Sequence, residues 1–163
     1  MEENELLLAK IKQSQNVNKT ELSNGINLLL FEINENLYAI ESSGVKEILK
    51  SFEVSPLPFV PSFVKGVLNR YGEPYAVIEP AILFGQNEQT SCVFMVLNHQ
   101  SKTCIKITSL KEFHFFKTKE ISEFSDSEFS TYFDGTVSFE GKTVFIINTE
   151  KLINEIGDKI ANS

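Results

Sequence analysis

Several residue types and patterns are scarce in this chain, and each scarcity excludes a class of function. Its 163 residues include no tryptophan, two cysteines and two histidines. His99 and His114 lie far apart with no paired cysteine or aspartate beside them, so the sequence predicts no metal site. No apolar run approaches the roughly 20 residues of a membrane-spanning helix, so direct membrane insertion is not expected. The acidic start Met1-Glu2-Glu3 is unlike a basic secretory signal, which favours a cytoplasmic location.

Clusters of lysine and arginine are also missing. The formal net charge is −7, and a surface that binds phosphate backbones needs grouped positive charge, so we expect no nucleic-acid partner. The chain is 42% hydrophobic, so it should fold rather than stay disordered. Its length suits one domain with a substantial core.

The patterns that mark catalytic and cofactor sites are missing as well. The sequence contains no G-x-S-x-G nucleophile elbow, no G-x-x-x-x-G-K-[ST] phosphate loop and no G-x-G-x-x-G turn. The acidic residues are scattered rather than paired with a basic catalytic partner. We therefore expect a protein that is not an enzyme, with no catalytic residues and no cofactor.

The two cysteines, Cys92 and Cys104, flank a predicted turn at residues 98–102. In a hairpin centred near Gln100, Cys104 faces about position 96 rather than Cys92. That offset is ~13 Å along a strand, which exceeds the ~7 Å Cα separation that a disulfide tolerates. We therefore expect two reduced, buried thiols.

The N-terminal part, residues 1–25, is predicted to be a helix and a linker. Glu5–Lys12 places Leu7, Leu8 and Ile11 at helical spacing, and residues 13–24 are polar. The pattern leaves two interpretations open for this helix. It is either a frayed terminal helix or a segment that docks on the domain or on a partner.

The rest of the chain is predicted to be mainly β. Short apolar runs recur at roughly the 8–12-residue spacing that is typical of small barrels. We predict strands at Ile26–Ile33, Leu37–Ile40, Val67–Leu68, Tyr75–Ile78, Ser91–Leu97, Thr103–Leu110, Lys111–Phe116, Thr136–Phe139 and Thr143–Asn148. Val45–Lys50 fits either a strand or one helical turn. Ser62 is predicted to cap a short helix through Lys65, and Lys117–Phe129 to be an exposed loop.

The sequence also predicts two related halves followed by a helix. Phe63–Val67 with its hairpin resembles Tyr132–Thr136 with its own, and each ends in a helical turn. We expect one domain over residues 26–153, with halves near 26–90 and 91–148 and with exchange of strands between them left open. Residues 149–163 form a helix with one buried stripe, made of Leu152, Ile153, Ile156 and Ile160.

The stretch Val64–Gly85 is the most informative part of the sequence. Its composition predicts a β-hairpin that turns at Asn69–Glu73 and ends in a helical turn after Glu79-Pro80. As a pattern, VKGVLNRYGEPYAVIEPAILFG resembles the hallmark V-K-G-V-I-N-L-R-G-E-V-x-P-V-I-D-L-x-x-x-F-G of the CheW family. The flanking segments resemble the family in the same order, at Leu37–Leu49, Val54–Pro61 and Ile146–Leu152.

The resemblance to the CheW family implies a fold, a function and partners. The fold is two packed SH3-like five-stranded β-barrels. The function is that of a non-enzymatic adaptor in bacterial chemotaxis, which couples the cytoplasmic tip of a chemoreceptor to a CheA-type histidine kinase in membrane receptor arrays. The implied receptor-binding groove contains Val45, Glu47, Ile48, Asn69 and Tyr71. The kinase-binding residues are not identified, although the second half, from Cys92 to Phe139, is where we would seek them. Gly66 and Gly72 are expected to have structural roles in turns.

The chain departs from the family pattern at several positions. Tyr71 replaces an arginine, Thr108 an aspartate, Glu79 an aspartate and Asn148 an aspartate. Strand alternation predicts that Tyr71 takes the place of the family arginine at the groove. Arg70 would then point to the opposite side, away from Glu47.

These departures leave two further hypotheses open. The chain would be either a small-molecule-sensing barrel that kept the fold or a paralogue that serves a separate motility pathway. Because the contacts within arrays are individually weak, we also expect a monomer or weak oligomer in isolation.

Overall fold

The computed structural model describes residues 4–11, 24–90, 92–125 and 128–163. Most of the predicted linker lies outside these ranges. Helix α1 spans residues 4–11, and the later helices are α2 (Pro80–Leu83) and α3 (Thr149–Ala161). The strands are β1 (Gly25–Ile33), β2 (Asn36–Glu41), β3 (Val45–Leu49), β4 (Val64–Arg70), β5 (Glu73–Ile78), β6 (Val93–Leu97), β7 (Thr103–Ile107), β8 (Ser109–Lys117), β9 (Ser122–Glu123), β10 (Phe133–Phe139) and β11 (Lys142–Ile147). Short 3-10 turns lie at Ser42–Gly44, Thr118–Glu120 and Glu128–Thr131.

The strands form two mixed sheets with matching topology. The first sheet has the order β8-β1-β2-β11-β10-β9, and the second has the order β3-β6-β7-β5-β4. In each sheet a bulged antiparallel hairpin, β10-β11 or β4-β5, joins an antiparallel pair through one parallel contact, β11-β2 or β5-β7. The two-residue strand β9 is an addition at the edge of the first sheet. The predicted mainly β architecture of two related units is therefore confirmed.

The sheets do not follow the two halves of the sequence. Strands β1 and β2 pair with strands from the end of the chain, and β6 and β7 pair with strands from the first half. Because each sheet draws strands from both halves, neither half closes its own sheet. The predicted outer boundaries, at residues 26 and 153, stay predictions.

Three hydrophobic clusters show how the two units pack. One cluster lies within the first sheet and includes Leu30 and Val144. Another lies within the second sheet and includes Leu68 and Cys104. The largest combines both sheets with α2 and α3, and it also buries Ile11 of α1. Helix α1 therefore packs on the domain rather than standing free.

The predicted internal repeat is confirmed, and each copy carries a glycine at the same place in its hairpin. The pairing shifts register between Val64 and Gly66 in the second sheet and between Phe133 and Gly135 in the first, so each hairpin carries a bulge at the same place. A Cβ at Gly66 would overlap the carbonyl oxygen of Ser55, and a Cβ at Gly135 would overlap that of Ser122. Gly66 is therefore structural, but it lies in a strand and not in a turn.

Other local predictions need correction. Residues 62 and 63 form a turn and β4 begins at Val64, so Ser62 does not cap a helix. The predicted strand Thr103–Leu110 is divided at Thr108, because β7 and β8 belong to different sheets. The segment 117–129 contains two 3-10 turns and β9 rather than only a loop. In α3, Leu152 and Ile156 are buried, but Ile160 is 45% exposed near the end of the helix.

The cysteine geometry agrees with the sequence in most respects. Cys104 pairs with Val96 across the β6-β7 hairpin, as predicted. Both cysteines are free; Cys104 is buried, whereas Cys92 is only partly buried. Burial, with a smaller effect of the Glu47 charge, raises the pKa of Cys104 to about 12.

Candidate functional site

Strand β3 carries three residues of the predicted receptor groove, and two of them are in the core. Its pairing with β6 shifts register between Val45 and Glu47, so a bulge interrupts the alternation. Val45 and Ile48 consequently share one face, as their spacing predicted, but that face is the interior between the two sheets. Val45 is 0% and Ile48 6% exposed, so neither side chain is available to a partner. The prediction that they form part of a groove surface is wrong.

Glu47 lies at the point where the two edge strands of the second sheet approach each other. The Arg70 guanidinium at the end of β4 donates from Nε to Glu47 Oε1 at 2.8 Å and from Nη2 to Oε2. The Tyr71 hydroxyl donates to Glu47 Oε2 at 2.9 Å. A carboxylate on β3 therefore bonds to side chains at the end of β4, across the gap between the two edge strands of this sheet.

The predicted separation of Arg70 and Tyr71 onto opposite faces is wrong. Arg70 pairs with Glu73, which leaves Tyr71 and Gly72 as a two-residue hairpin loop. Both have positive φ, 57° and 75°, as in the turns that favour the twist of a hairpin. Tyr71 therefore lies beyond the last residue of the strand, and alternation does not apply to it. Gly72 is a structural turn residue, as predicted.

Charge and aromatic rings reinforce this cluster, which we call the Glu47 clamp: Glu47, Arg70 and Tyr71 with the neighbouring Lys46. The Arg70 guanidinium lies 4.6 Å from the centre of the Tyr71 ring, and the Lys46 ammonium lies 5.2 Å from it on the exposed side. Burial raises the pKa of Glu47. Hydrogen bonds from Arg70 and Tyr71, with the charges of Arg70 and Lys46, outweigh that effect and hold the pKa below its ordinary value. The Glu47 carboxylate is therefore ionised near neutral pH.

The clamp presents one exposed aromatic ring to solvent. Tyr71 is 61% exposed, and Asn69 is exposed next to it. Ser55 pairs with Val67, so the proline-bounded loop before β4 runs along this strand. Because this pairing is antiparallel, Leu57 and Phe59 lie towards the start of β4, at the other end of the strand from Tyr71, and Phe59 is fully exposed at a positive φ of 59°. A bulky residue in that conformation is uncommon and marks a constrained loop.

Three of the family departures have structural roles away from the clamp. Glu79 caps the N-terminus of α2, where it accepts from Ala81 N, and Asn148 caps α3 by accepting from Lys151 N at 2.9 Å. The buried Glu79 carboxylate also accepts from the Gln89 backbone N–H and side-chain amide. The Thr108 hydroxyl donates to Gln89 Oε1 at 2.7 Å.

Sequence reasoning missed this buried polar set, since Gln89 and Lys106 are of residue types that are mostly exposed. Gln89 is 4% exposed and Lys106 is 8% exposed, and Lys106 Nζ lies 3.4 Å from Glu79 Oε1. A polar residue after a helical turn gives no signal of burial by itself. The unusual Glu-Pro pair at the helix start was the one available clue to an acidic cap.

Comparison with known proteins places this geometry in a family. The model of the CheW-like domain matches residues 27–157. The chain belongs to the CheW-like domain family. Chemotaxis protein CheW of Treponema pallidum is 38% identical over 63 residues, which are 39% of this chain and 37% of that protein. The matched region is therefore little more than a third of the relative's length.

A solved structure shares the fold. The scaffolding protein TtCheW from Thermoanaerobacter tengcongensis superposes with a TM-score of 0.70 at 18% sequence identity, covering 76% of this chain and 89% of that one. This likeness confirms the CheW-like fold of two packed SH3-like units. Within the described parts of this CheW-like chain, no helix is long and apolar enough to cross a membrane. The same parts contain no group of three metal-ligating side chains.

Proposed function

We propose that this chain is a non-enzymatic scaffold that couples chemoreceptors to a CheA-type histidine kinase in bacterial chemotaxis. The supporting observation is the Glu47 clamp on a CheW-like domain, because the family resemblance puts receptor contacts at Glu47, Asn69 and Tyr71. The protein would act in the cytoplasm, within arrays formed by membrane receptors.

The proposed receptor contact is the exposed Tyr71 ring with the neighbouring Asn69. Chemoreceptor tips are helical hairpins, and helices are recognised by apolar grooves with a few polar anchors. Glu47 is satisfied by Arg70 and Tyr71, so it acts by fixing the position of the Tyr71 ring rather than by pairing with the partner. Lys46 remains exposed beside that ring and offers a positive charge to an acidic side chain of the receptor.

Co-sedimentation with receptor cytoplasmic fragments tests the proposed contact. Tyr71→Ala removes the exposed ring and should weaken receptor association about tenfold, since aromatic anchors dominate such contacts. Phe115→Ala is the matched control, because Phe115 is also a partly exposed aromatic residue but lies on β8 in the other sheet. Equal loss in both variants, or no loss in Tyr71→Ala, would place the receptor contact elsewhere.

The proposal also predicts weak self-association in the isolated protein. Array contacts are individually weak and gain strength from multivalency, so the chain alone should sediment as a monomer or weak oligomer. Sedimentation velocity over a wide concentration range checks this. A tight obligate dimer would contradict the array model.

A further inference from the structure

A cavity of about 420 Å³ lies beside α2 and β11, and no residue of the Glu47 clamp lines it. Its walls are largely aromatic, formed by Tyr38, Phe84, Phe129, Tyr132, Phe133 and Phe145. We call this cavity the aromatic pocket. Its volume lies within the range of roughly 300–1,000 Å³ that small-molecule sites occupy. Neither the family match nor the proposed coupling function assigns it a role.

The walls of the aromatic pocket are held in place by contacts among the rings. Phe84 lies 5.1 Å from Phe133 and 5.4 Å from Tyr38, measured between ring centres, and Phe133 lies 5.3 Å from Phe145. The Tyr38 hydroxyl accepts a hydrogen bond from the Gln86 amide at 2.7 Å. Rings packed in this way leave a preformed cavity, which lowers the entropic cost of binding.

The charges at the aromatic pocket favour a positive ligand. Glu128 lies in its wall and makes no ion pair with any residue that the structure describes. Burial, with a smaller effect of the Glu155 charge, raises the pKa of Tyr132 in the same wall. Lys159 lies on α3 and pairs with Glu155. Its ammonium is 4.0 Å from the Glu155 carboxylate, which is the limiting distance for an ion pair.

Aromatic faces carry negative potential, and an adjoining carboxylate adds to it. This combination is how proteins recognise quaternary and other alkylammonium groups. A carboxylate-bearing or phosphorylated ligand would instead meet Glu128 with like charge. A neutral apolar ligand would gain only the free energy of burying its apolar surface.

We propose that the aromatic pocket binds a small organic cation of the alkylammonium class. The positive group lies against the aromatic walls near Glu128, and its alkyl substituents fill the remaining volume. Phe84 directly follows α2, the helix that comes after β5 of the second sheet. Tyr38, Phe133 and Phe145 belong to strands of the first sheet. The ligand therefore contacts both units.

Titration with choline, compared with its uncharged carbon analogue 3,3-dimethylbutan-1-ol, tests the proposal. The two probes have nearly the same shape, so a difference between them reports the charge. Calorimetry or NMR should show saturable choline binding with a Kd of about 1–10 mM. The neutral analogue should bind about tenfold more weakly, as expected for loss of a cation–π contact. Equal binding of both probes, or no binding of choline in this range, overturns the proposal.

Variants of the pocket wall complete the test. Phe129→Leu removes a ring that is 50% exposed, so folding should survive, and choline affinity should fall about tenfold. Glu128→Gln should reduce choline affinity about threefold while leaving the neutral analogue unaffected. Phe115→Leu, an exposed aromatic outside the pocket, should change neither. Choline binding that persists unchanged in both pocket variants would show that the cation binds elsewhere.

Discussion

Glu47 is the residue on which the candidate surface depends most. Its side chain is 9% exposed, and it accepts from both Arg70 and Tyr71, so it fixes two side chains that the hairpin loop would otherwise leave free. Glu47→Gln removes the charge and should cost about 1–2 kcal/mol of unfolding free energy, because hydrogen bonds to charged groups exceed neutral ones. Glu73→Gln is the control, since the Glu73–Lys102 pair is about half exposed and should contribute little.

The same pair gives a pH dependence with a defined sign. The folded pKa of Glu47 is below its ordinary value of 4.5, so the pair stabilises the fold fully above that value. The contribution is lost as pH falls through the lowered folded pKa. Chemical denaturation at stepped pH should therefore show the gap between wild type and Glu47→Gln closing in acid. A gap that stays constant into strong acid would show that charge is not the cause.

The two thiols should differ in reactivity. Cys104 is buried with its pKa raised to about 12, so its reactive thiolate is scarce in the folded protein. Cys92 is partly exposed, so it should react before Cys104. Burial raises the pKa of Cys92 as well, so its reaction should still be slow. With an aromatic disulfide reagent at about pH 8, the Cys92→Ser variant retains only Cys104, and no thiol should react until denaturant is added. Rapid labelling of that variant would mean that the β6-β7 region opens readily.

The site residues that sequence analysis misplaced have two physical causes, a break in strand alternation and tertiary packing. Strand alternation holds only while a strand stays regular, and Arg70 and Tyr71 stand where β4 passes into a turn with positive φ. The bulge at the start of β3 similarly puts Val45 and Ile48 on one face. Spacing predicted that shared face. It could not say whether the face met solvent or the other sheet, because that depends on tertiary packing.

At the scale of elements, the bulged hairpins make a matched test of glycine. Gly66→Ala and Gly135→Ala should each cost about 2–4 kcal/mol, because the new methyl overlaps a neighbouring backbone carbonyl. Gly157→Ala in α3 meets open space and should stabilise the fold by up to about 1 kcal/mol. Thermal and chemical denaturation check both signs. Similar effects at all three positions would show that the close approaches are not limiting.

Element types were largely predictable because their local signals are strong. The hairpin β4-β5, the helix α3 and the repeat at Phe133–Gly135 all follow from periodicity, turn residues and similarity within the chain. The false helix after Ser62 shows the limit of a capping signal alone. That polar side chain could start a helix, but the bulge at Gly66 and the pairing of Val67 with Ser55 commit the segment to the sheet.

At the scale of the whole molecule, the exchange of strands joins the two units. Because β1 and β2 complete the sheet formed by the chain's last strands, neither unit is continuous in sequence. No local pattern indicates which distant strands pair in parallel, so the sequence left this exchange open. The family match over residues 27–157 carries the functional proposal, and the Glu47 clamp locates it on the surface.

Reconstitution of a three-component assembly tests the central claim most directly. Receptor cytoplasmic fragments are placed on vesicles, and a CheA-type kinase is added with or without this chain before sedimentation. The account predicts that the chain sediments with the receptors and increases the amount of kinase recovered. Tyr71→Ala should reduce both, whereas Phe115→Ala should behave as wild type. A chain that associates with neither receptor nor kinase would contradict the account.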